Sequence, residues 1–410
     1  MRPGRVVAIV LAVLVAAGLG TLITQAVTKT TAANARQDAL QPFYTPPNPL
    51  PSVPGTVIRQ EPLGTSVDGG TAYRVLYTSA LPDDTPVAAS AIVFVPSTPA
   101  PPGGRPVVAW AHGTIGMGDA CAPSRSANPT GPIDTWLTPM LDRGWVVVAT
   151  DYAGLGTPGQ ELYLVGESEA RDVVNSVIAA RNMAQTDAGT RWVVYGHSQG
   201  GHAALWTGQL AADLAPDLDL LGVAAAAPAA NLTDIMSAQH SGRVGWVIGP
   251  EVVQSWRSLD PSLPLDGVVT PSGIDATSGI ANECIVQAAL ESIVRERFQG
   301  QYFAKDPLTE PAWAATTKAQ VPAPLPASMP VLLVQSTADS VVLAWPNAAL
   351  QVTWCAAGSD LSAIWIGDVG HNDTGLAAGP AVVTWATERF DGTPTQRNCM
   401  VAPPIAPTPA

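Results

Sequence analysis

The chain has 410 residues, of which 47% are hydrophobic and 13% charged, with a formal net charge of −13. That balance supplies a large buried core and, without any Lys/Arg cluster, excludes nucleic acid as the expected partner. No Cys/His spacing suits a metal and no Gly-rich phosphate loop follows a strand, so neither a metal nor a cofactor is expected.

Residues 1–35 read as a leader. Met1 to Arg5 is a positive n-region, Val6 to Ile23 is nearly all apolar, and Ala33-Asn34-Ala35 is an A-x-A cleavage site. The apolar run of about 18 residues lies between a signal-peptide core of about 7–15 and a membrane span of about 20. A cleaved signal peptide and an uncleaved signal anchor both fit, and the A-x-A site favours cleavage. Either one exports the remainder, so the expected location is extracytoplasmic, secreted or envelope-anchored. Membrane contact would then come through this segment or a lipid interface. Residues 36–54 read as a Pro-rich linker, stiff and extended from Pro42 to Pro54.

Strand patterns follow at 73–78, 87–95, 106–111, 145–150, 191–195, 221–227, 330–335 and 363–367. Helical patterns lie between them. From Glu167 to Met183, Ala170, Val173, Val174, Val177 and Ile178 recur at the spacing of one buried helix face. The alternation predicts an α/β fold, a mainly parallel eight-stranded sheet covered by helices on both faces. Its two parts are residues 55–227 and 329–400, followed by a Pro-rich tail over 401–410. Residues 228–328 interrupt the alternation and are expected to form a helical cap or lid. Trp246, Trp256, Trp313, Tyr302 and Phe303 supply its apolar content, and most of them are expected to build the cap's own core.

The chemistry concentrates in Gly196-His197-Ser198-Gln199-Gly200, a G-x-S-x-G turn between the strand ending at Tyr195 and a helix former run from Gln199 to Ala212. Such a turn strains the serine and lifts its hydroxyl above the sheet, marking Ser198 as the nucleophile of an α/β-hydrolase. A serine hydroxyl needs a base, and the base needs a carboxylate, in chain order Ser, acid, His. His202 sits one turn into the nucleophile helix and His240 follows no strand, so His371, in the loop after the 363–367 strand, is the base. Asp339, just past the 330–335 strand, is the acid. Asp306, Asp360 and Asp368 fit less well, and Asp151 reads as a loop-fixing acceptor.

The oxyanion hole is expected from the N–H of Gln199 and that of Thr114, with Gly113 as runner-up, because His112-Gly113-Thr114 follows the 106–111 strand. His112 reads as a loop anchor. Four cysteines allow three pairings. The favoured one is Cys355–Cys399, joining the helix before the histidine strand to the tail, which leaves Cys121–Cys284.

Residues 196–204, His112-Gly113-Thr114 and Asp151-Tyr152-Ala153-Gly154-Leu155-Gly156-Thr157-Pro158-Gly159 together resemble the secretory lipase family. That family includes fungal lipase A-type enzymes and actinobacterial envelope esterases, and the resemblance spans roughly residues 45 to 395. It implies Ser198, Asp339 and His371 in the same roles, and hydrolysis of carboxylic esters, including triacylglycerols. The expectation is an exported lipase or carboxylesterase taking a small-molecule or lipid ester. The alternatives are an acyltransferase or amidase with the same triad, and a catalytically inactive envelope-binding module.

Overall fold

A computed structural model describes residues 31–409. Most of the leader and its cleaved-or-anchored alternative therefore lie outside the described residues. Residues 31–44 form helix α1, in the first of two compact units, which ends at Thr45. This corrects the linker: residues 36–44 are helical, and Ala33-Asn34-Ala35 lies in the same helix. Ala, Arg, Gln and Leu between Ala32 and Gln41 are good helix formers, whereas the prolines that stiffen a chain begin at Pro42. No helix among the described residues is long and apolar enough to cross a membrane.

The second unit begins at Pro46 and is built on one sheet. Its strands are β1 (Val57–Pro62), β2 (Gly70–Ala80), β3 (Pro86–Pro96), β4 (Arg105–Ala111), β5 (Val146–Ala153), β6 (Ala188–His197), β7 (Asp219–Ala226), β8 (Val331–Ser336) and β9 (Leu361–Ile366). Their spatial order is β1-β2-β3-β5-β4-β6-β7-β8-β9. The first three are antiparallel, and every pairing from β5 onward to β9 is parallel. The sheet has nine strands where the sequence pattern gave eight. The extra one, β1, is an edge strand of sequence VIRQEP, half-buried and bulged against β2. With one neighbour and half its surface in water, it needs no apolar run, so its pattern is weak.

Helices pack on both faces. On one side lie α3 (Gly166–Asn182), α4 (Gln199–Leu214) and α10 (Ala344–Ala356); on the other lie α2 (Asp134–Asp142) and α11 (His371–Phe390). The α3 stripe faces inward as its spacing requires: Ala170, Val173, Val174 and Val177 are buried. The continuous apolar runs of β4, β5 and β6 are buried on both faces, as central parallel strands must be.

Between β7 and β8 lie five helices, α5 (Leu232–Gln239), α6 (Arg243–Leu259), α7 (Pro271–Ala281), α8 (Ile285–Gln299) and α9 (Pro311–Ala319). They share a separate apolar cluster in which Trp246, Trp256, Trp313, Tyr302 and Phe303 are all buried. The aromatics therefore serve this insert's own packing. The same cluster takes in Met117 and Leu162 to Val165 from the core, which seats the insert on the loops following β4 and β5. Both disulfides are closed, Cys121–Cys284 with a Cα separation of 5.3 Å and Cys355–Cys399 with 5.4 Å. The first bolts the loop after β4 to the N-cap of α8.

Candidate active site

Parallel strands β4, β6, β8 and β9 all release their chains at the same sheet edge, where open α/β sheets place their ligands. Each delivers one part of the site. β6 runs straight into Ser198, whose backbone sits at φ 57° and ψ −119°, a region costly for any residue with a Cβ. Surrounding bonds hold it there. The Ser198 N–H donates to the Ala226 carbonyl at 3.0 Å, and its carbonyl accepts from the N–H groups of His202 and Ala229, each at 3.1 Å. The turn is possible only with glycine on both sides. A Cβ at Gly196 would stand 1.9 Å from the Gly200 carbonyl oxygen, and one at Gly200 would stand 1.9 Å from that of Ala111.

The structure brings Ser198, His371 and Asp339 together. The Ser198 hydroxyl lies 2.8 Å from His371 Nε2, and His371 Nδ1 lies 2.7 Å from Asp339 Oδ2. With the Nδ1–H donating to the carboxylate, Nε2 keeps a lone pair facing the serine hydroxyl. Asp339 is itself fixed: its Oδ1 accepts the N–H groups of Val341 at 2.9 Å and Val342 at 3.0 Å. All three residues are buried. The other acids lie elsewhere. Asp306 caps a short turn by accepting from the Leu308 N–H, and Asp360 accepts the Thr395 hydroxyl.

Gln199 is the first residue of α4, so its N–H has no carbonyl one turn back to bond and points out of the positive helix end. The loop after β4 stands beside it. A Cβ at Gly113 would lie 3.2 Å from Ser198 Cβ and 3.1 Å from the His197 carbonyl, so Gly113 packs directly on the nucleophile turn. Thr114, next in line, has its hydroxyl 2.7 Å from that of Tyr163. His112 anchors the loop: its Nδ1–H donates to the Gly113 carbonyl at 2.7 Å, and Nε2 lies 3.3 Å from the Asp151 carbonyl. Burial lowers the His112 pKa, which keeps the ring neutral. Asp151, near the end of β5, accepts from Ser90 Oγ of β3 at 2.6 Å and from the Ser124 N–H at 3.0 Å, tying the segment after β4 to both strands.

Sequence reasoning missed a second layer of residues. His197 donates from Nε2 to the His371 carbonyl at 2.9 Å, and burial, reinforced by the His371 charge, pushes its pKa down to about 3. Gln199 donates from its side chain to Glu169 at 3.0 Å and to Glu161 at 3.2 Å. Burial pushes Glu161 up to about 8, so it stays protonated at neutral pH. Glu169 also meets His202 Nδ1 at 2.8 Å, while His202 Nε2 reaches the Gln320 carbonyl at 2.7 Å. His202 thus staples the start of α4 to α3 and to the chain leaving the insert. The only hint in the sequence was two polar residues, Gln199 and His202, on the face of α4 that an apolar core should receive.

Comparisons agree with this geometry at the level of the fold and the family. The secretory lipase family model matches residues 127–398. Lipase 5 of Candida albicans is 25% identical over 308 residues, 68% of this chain; the chain spans just under two thirds of that relative, 64%. A Mycobacterium tuberculosis protein named a probable inactive lipase is 25% identical over 382 residues, covering 86% of this chain and 82% of its own. The crystal structure of Candida antarctica lipase A in its closed state superimposes with a TM-score of 0.71 at 19% identity, covering 90% of each chain. Two disulfides fit the oxidising extracellular setting of a secreted family. The chain shares the α/β fold of lipase A and belongs to the secretory lipase family.

Proposed function

We propose that the chain is an exported serine hydrolase of carboxylic esters, with Ser198 as nucleophile, His371 as base and Asp339 as the acid that orients it. The observation that supports this most is the unbroken hydrogen-bond line from Asp339 through His371 to Ser198. His371 removes the hydroxyl proton as Ser198 attacks the ester carbonyl. The N–H groups of Gln199 and Thr114, with Gly113 as the alternative second donor, stabilise the oxyanion; each is worth about 100-fold or more in rate. The tetrahedral intermediate then collapses, the alcohol leaves with the proton from His371, and water activated by His371 hydrolyses the acyl-enzyme. Asp339 stays charged and balances the imidazolium that forms in between.

Residues 228–328 act in this reading as the cap, and residues 1–35 as the export signal. The substrates are lipid or small-molecule esters, in line with the family. Hydrolysis of p-nitrophenyl esters from acetyl to palmitoyl, with Ser198→Ala as control, tests the proposal. Activity that the substitution abolishes, together with loss of covalent labelling by an organophosphonate, supports it; a Ser198→Ala protein that still labels overturns it. The name of the mycobacterial relative favours a second reading, an inactive module on the same scaffold. A folded wild-type protein that neither turns over any ester nor labels would select that reading.

A further inference from the structure

Helix α8 is turned the wrong way round for a core helix. Its buried residues are the small Ala288 and Ser292. Its large apolar residues face water: Val286 is 66% exposed, Leu290 62%, Ile293 45%, Val294 56% and Phe298 81%. They recur at i, i+4, i+7, i+8 and i+12, so they form one stripe along the helix. No other helix among the described residues carries such a set of exposed large hydrophobics. Most charges beside the stripe are neutralised locally. Arg295 pairs with Glu291, and Arg243 pairs with Glu296. Exposed Arg297, next to Phe298, is the one charge on α8 outside these ion pairs, and the helix itself carries no net charge. Arg295 also lies over the Trp246 ring at 5.6 Å, which turns it away from the stripe.

We propose that this face of α8 docks the protein on a lipid–water interface that carries no net negative charge. An apolar stripe on a helix of low net charge lies in the plane of such an interface and buries its side chains in it. Two features of the molecule select this occupant. Five side chains on one helix fall well short of the roughly 20–30 residues that each partner contributes to a stable protein interface. A second copy would also bring another net charge of −13 to meet the first, and the same charge disfavours an anionic surface. The helix is also fastened to the site. The Ile285 N–H donates to the Ile115 carbonyl at 2.8 Å, the Met117 N–H donates to the Ala281 carbonyl at 2.9 Å, and Cys284 is bonded to Cys121. A lipid surface seated on α8 is thereby held beside the loop that packs on Ser198.

The choice of lipid rests on the ester-hydrolase reading, but the test does not. In the full-length protein with Ser198→Ala, Leu290→Cys provides one free thiol, since the four native cysteines are paired. An environment-sensitive fluorophore placed there reports on α8 alone, whatever the N-terminal segment does. Phosphatidylcholine vesicles are expected to shift its emission to the blue, and spin-labelled lipid to quench it. An emission unchanged by vesicles overturns the proposal. So does shielding that grows with protein concentration without lipid, which would mean a second copy, or shielding present at every dilution, which would mean another segment of the chain. In the active protein, Leu290→Ser combined with Phe298→Ser is expected to lower hydrolysis of emulsified ester by about tenfold or more, the loss that about 1.4 kcal/mol of interfacial affinity represents. Hydrolysis of soluble p-nitrophenyl butyrate should not change. Equal losses on both substrates would overturn the docking role, whereas activity on neither substrate in the parent protein would overturn the ester-hydrolase reading alone.

Discussion

A single dihedral shows how tightly the site is specified. Ser198 sits at φ 57°, and its neighbours Gly196 and Gly200 are the residues that let three backbones meet around it. Gly200→Ala pushes a methyl group to 1.9 Å from a carbonyl oxygen of β4; neither backbone can yield, so a loss of about 3 kcal/mol or more is expected, at the top of the overpacking range. Thermal or urea unfolding checks this. Asp339→Asn is expected to behave in the opposite way. Its Oδ1 can still accept from Val341 and Val342, so the fold should persist within a few degrees of Tm. The new amide, however, presents an N–H to His371 Nδ1 and favours the wrong tautomer, which should lower kcat by about 10⁴-fold. A variant that keeps more than a tenth of its activity would exclude Asp339 from the proposed role. Ser198, Asp339 and His371 were legible because each ends or follows an apolar strand, and strand ends converge on one edge. Glu161, Glu169 and His197 were not, because no motif assigns them a role and their contacts appear only when α3, α4 and the His371 turn pack together.

The elements differ in how well their pattern predicts their surroundings. The stripe of α3 faces the sheet, as an apolar stripe usually does. That of α8 faces water although its spacing is just as regular. Periodicity gives the face of a helix but not what lies opposite it. The first disulfide makes a related point: two cysteines distant in sequence join the loop of Gly113 and Thr114 to the insert. Replacing both Cys121 and Cys284 by serine is expected to cost about 2–4 kcal/mol in stability. It should also reduce kcat on soluble esters before global unfolding sets in, because that loop loses its tie to α8. Parallel denaturation and activity curves check this; coincident curves would mean that the bond serves global stability only.

For the whole molecule, buried titratable groups set the response to pH. Glu161 has its pKa raised from 4.5 to about 8. Between those values the folded state holds a proton that the unfolded state has released, so stability falls as pH rises from about 4.5 to about 8. His197 works in the other sense, with its pKa lowered from 6.5 to about 3. Over that window the unfolded state binds the extra proton, so stability falls as pH drops from about 6.5 towards 3. Buried Asp172, its pKa raised from 3.8 to about 7, acts in the same sense as Glu161, so above about 4.5 the two carboxyl groups outweigh His197 and stability declines with rising pH as far as about 8. Glu161→Gln should lessen this alkaline decline, as Tm measured from pH 4 to 9 would show. An alkaline limb unchanged by the substitution would rule Glu161 out as its cause.

What the sequence determined by itself is everything that depends on short-range pattern. A strand, a G-x-S-x-G turn and a helix occupy consecutive residues, and alternating strands and helices permit few arrangements other than a parallel sheet with its active edge at the strand ends. The tertiary structure alone decided what depends on which surfaces meet. It added the edge strand β1, whose six residues carry only a weak pattern, and carried helix α1 into the expected linker. It set the insert on the loops after β4 and β5, buried Glu161 and Glu169 under Gln199, and left the apolar side of α8 in water. Burial and long-range pairing are properties of the assembled chain, and so no local window of residues contains them.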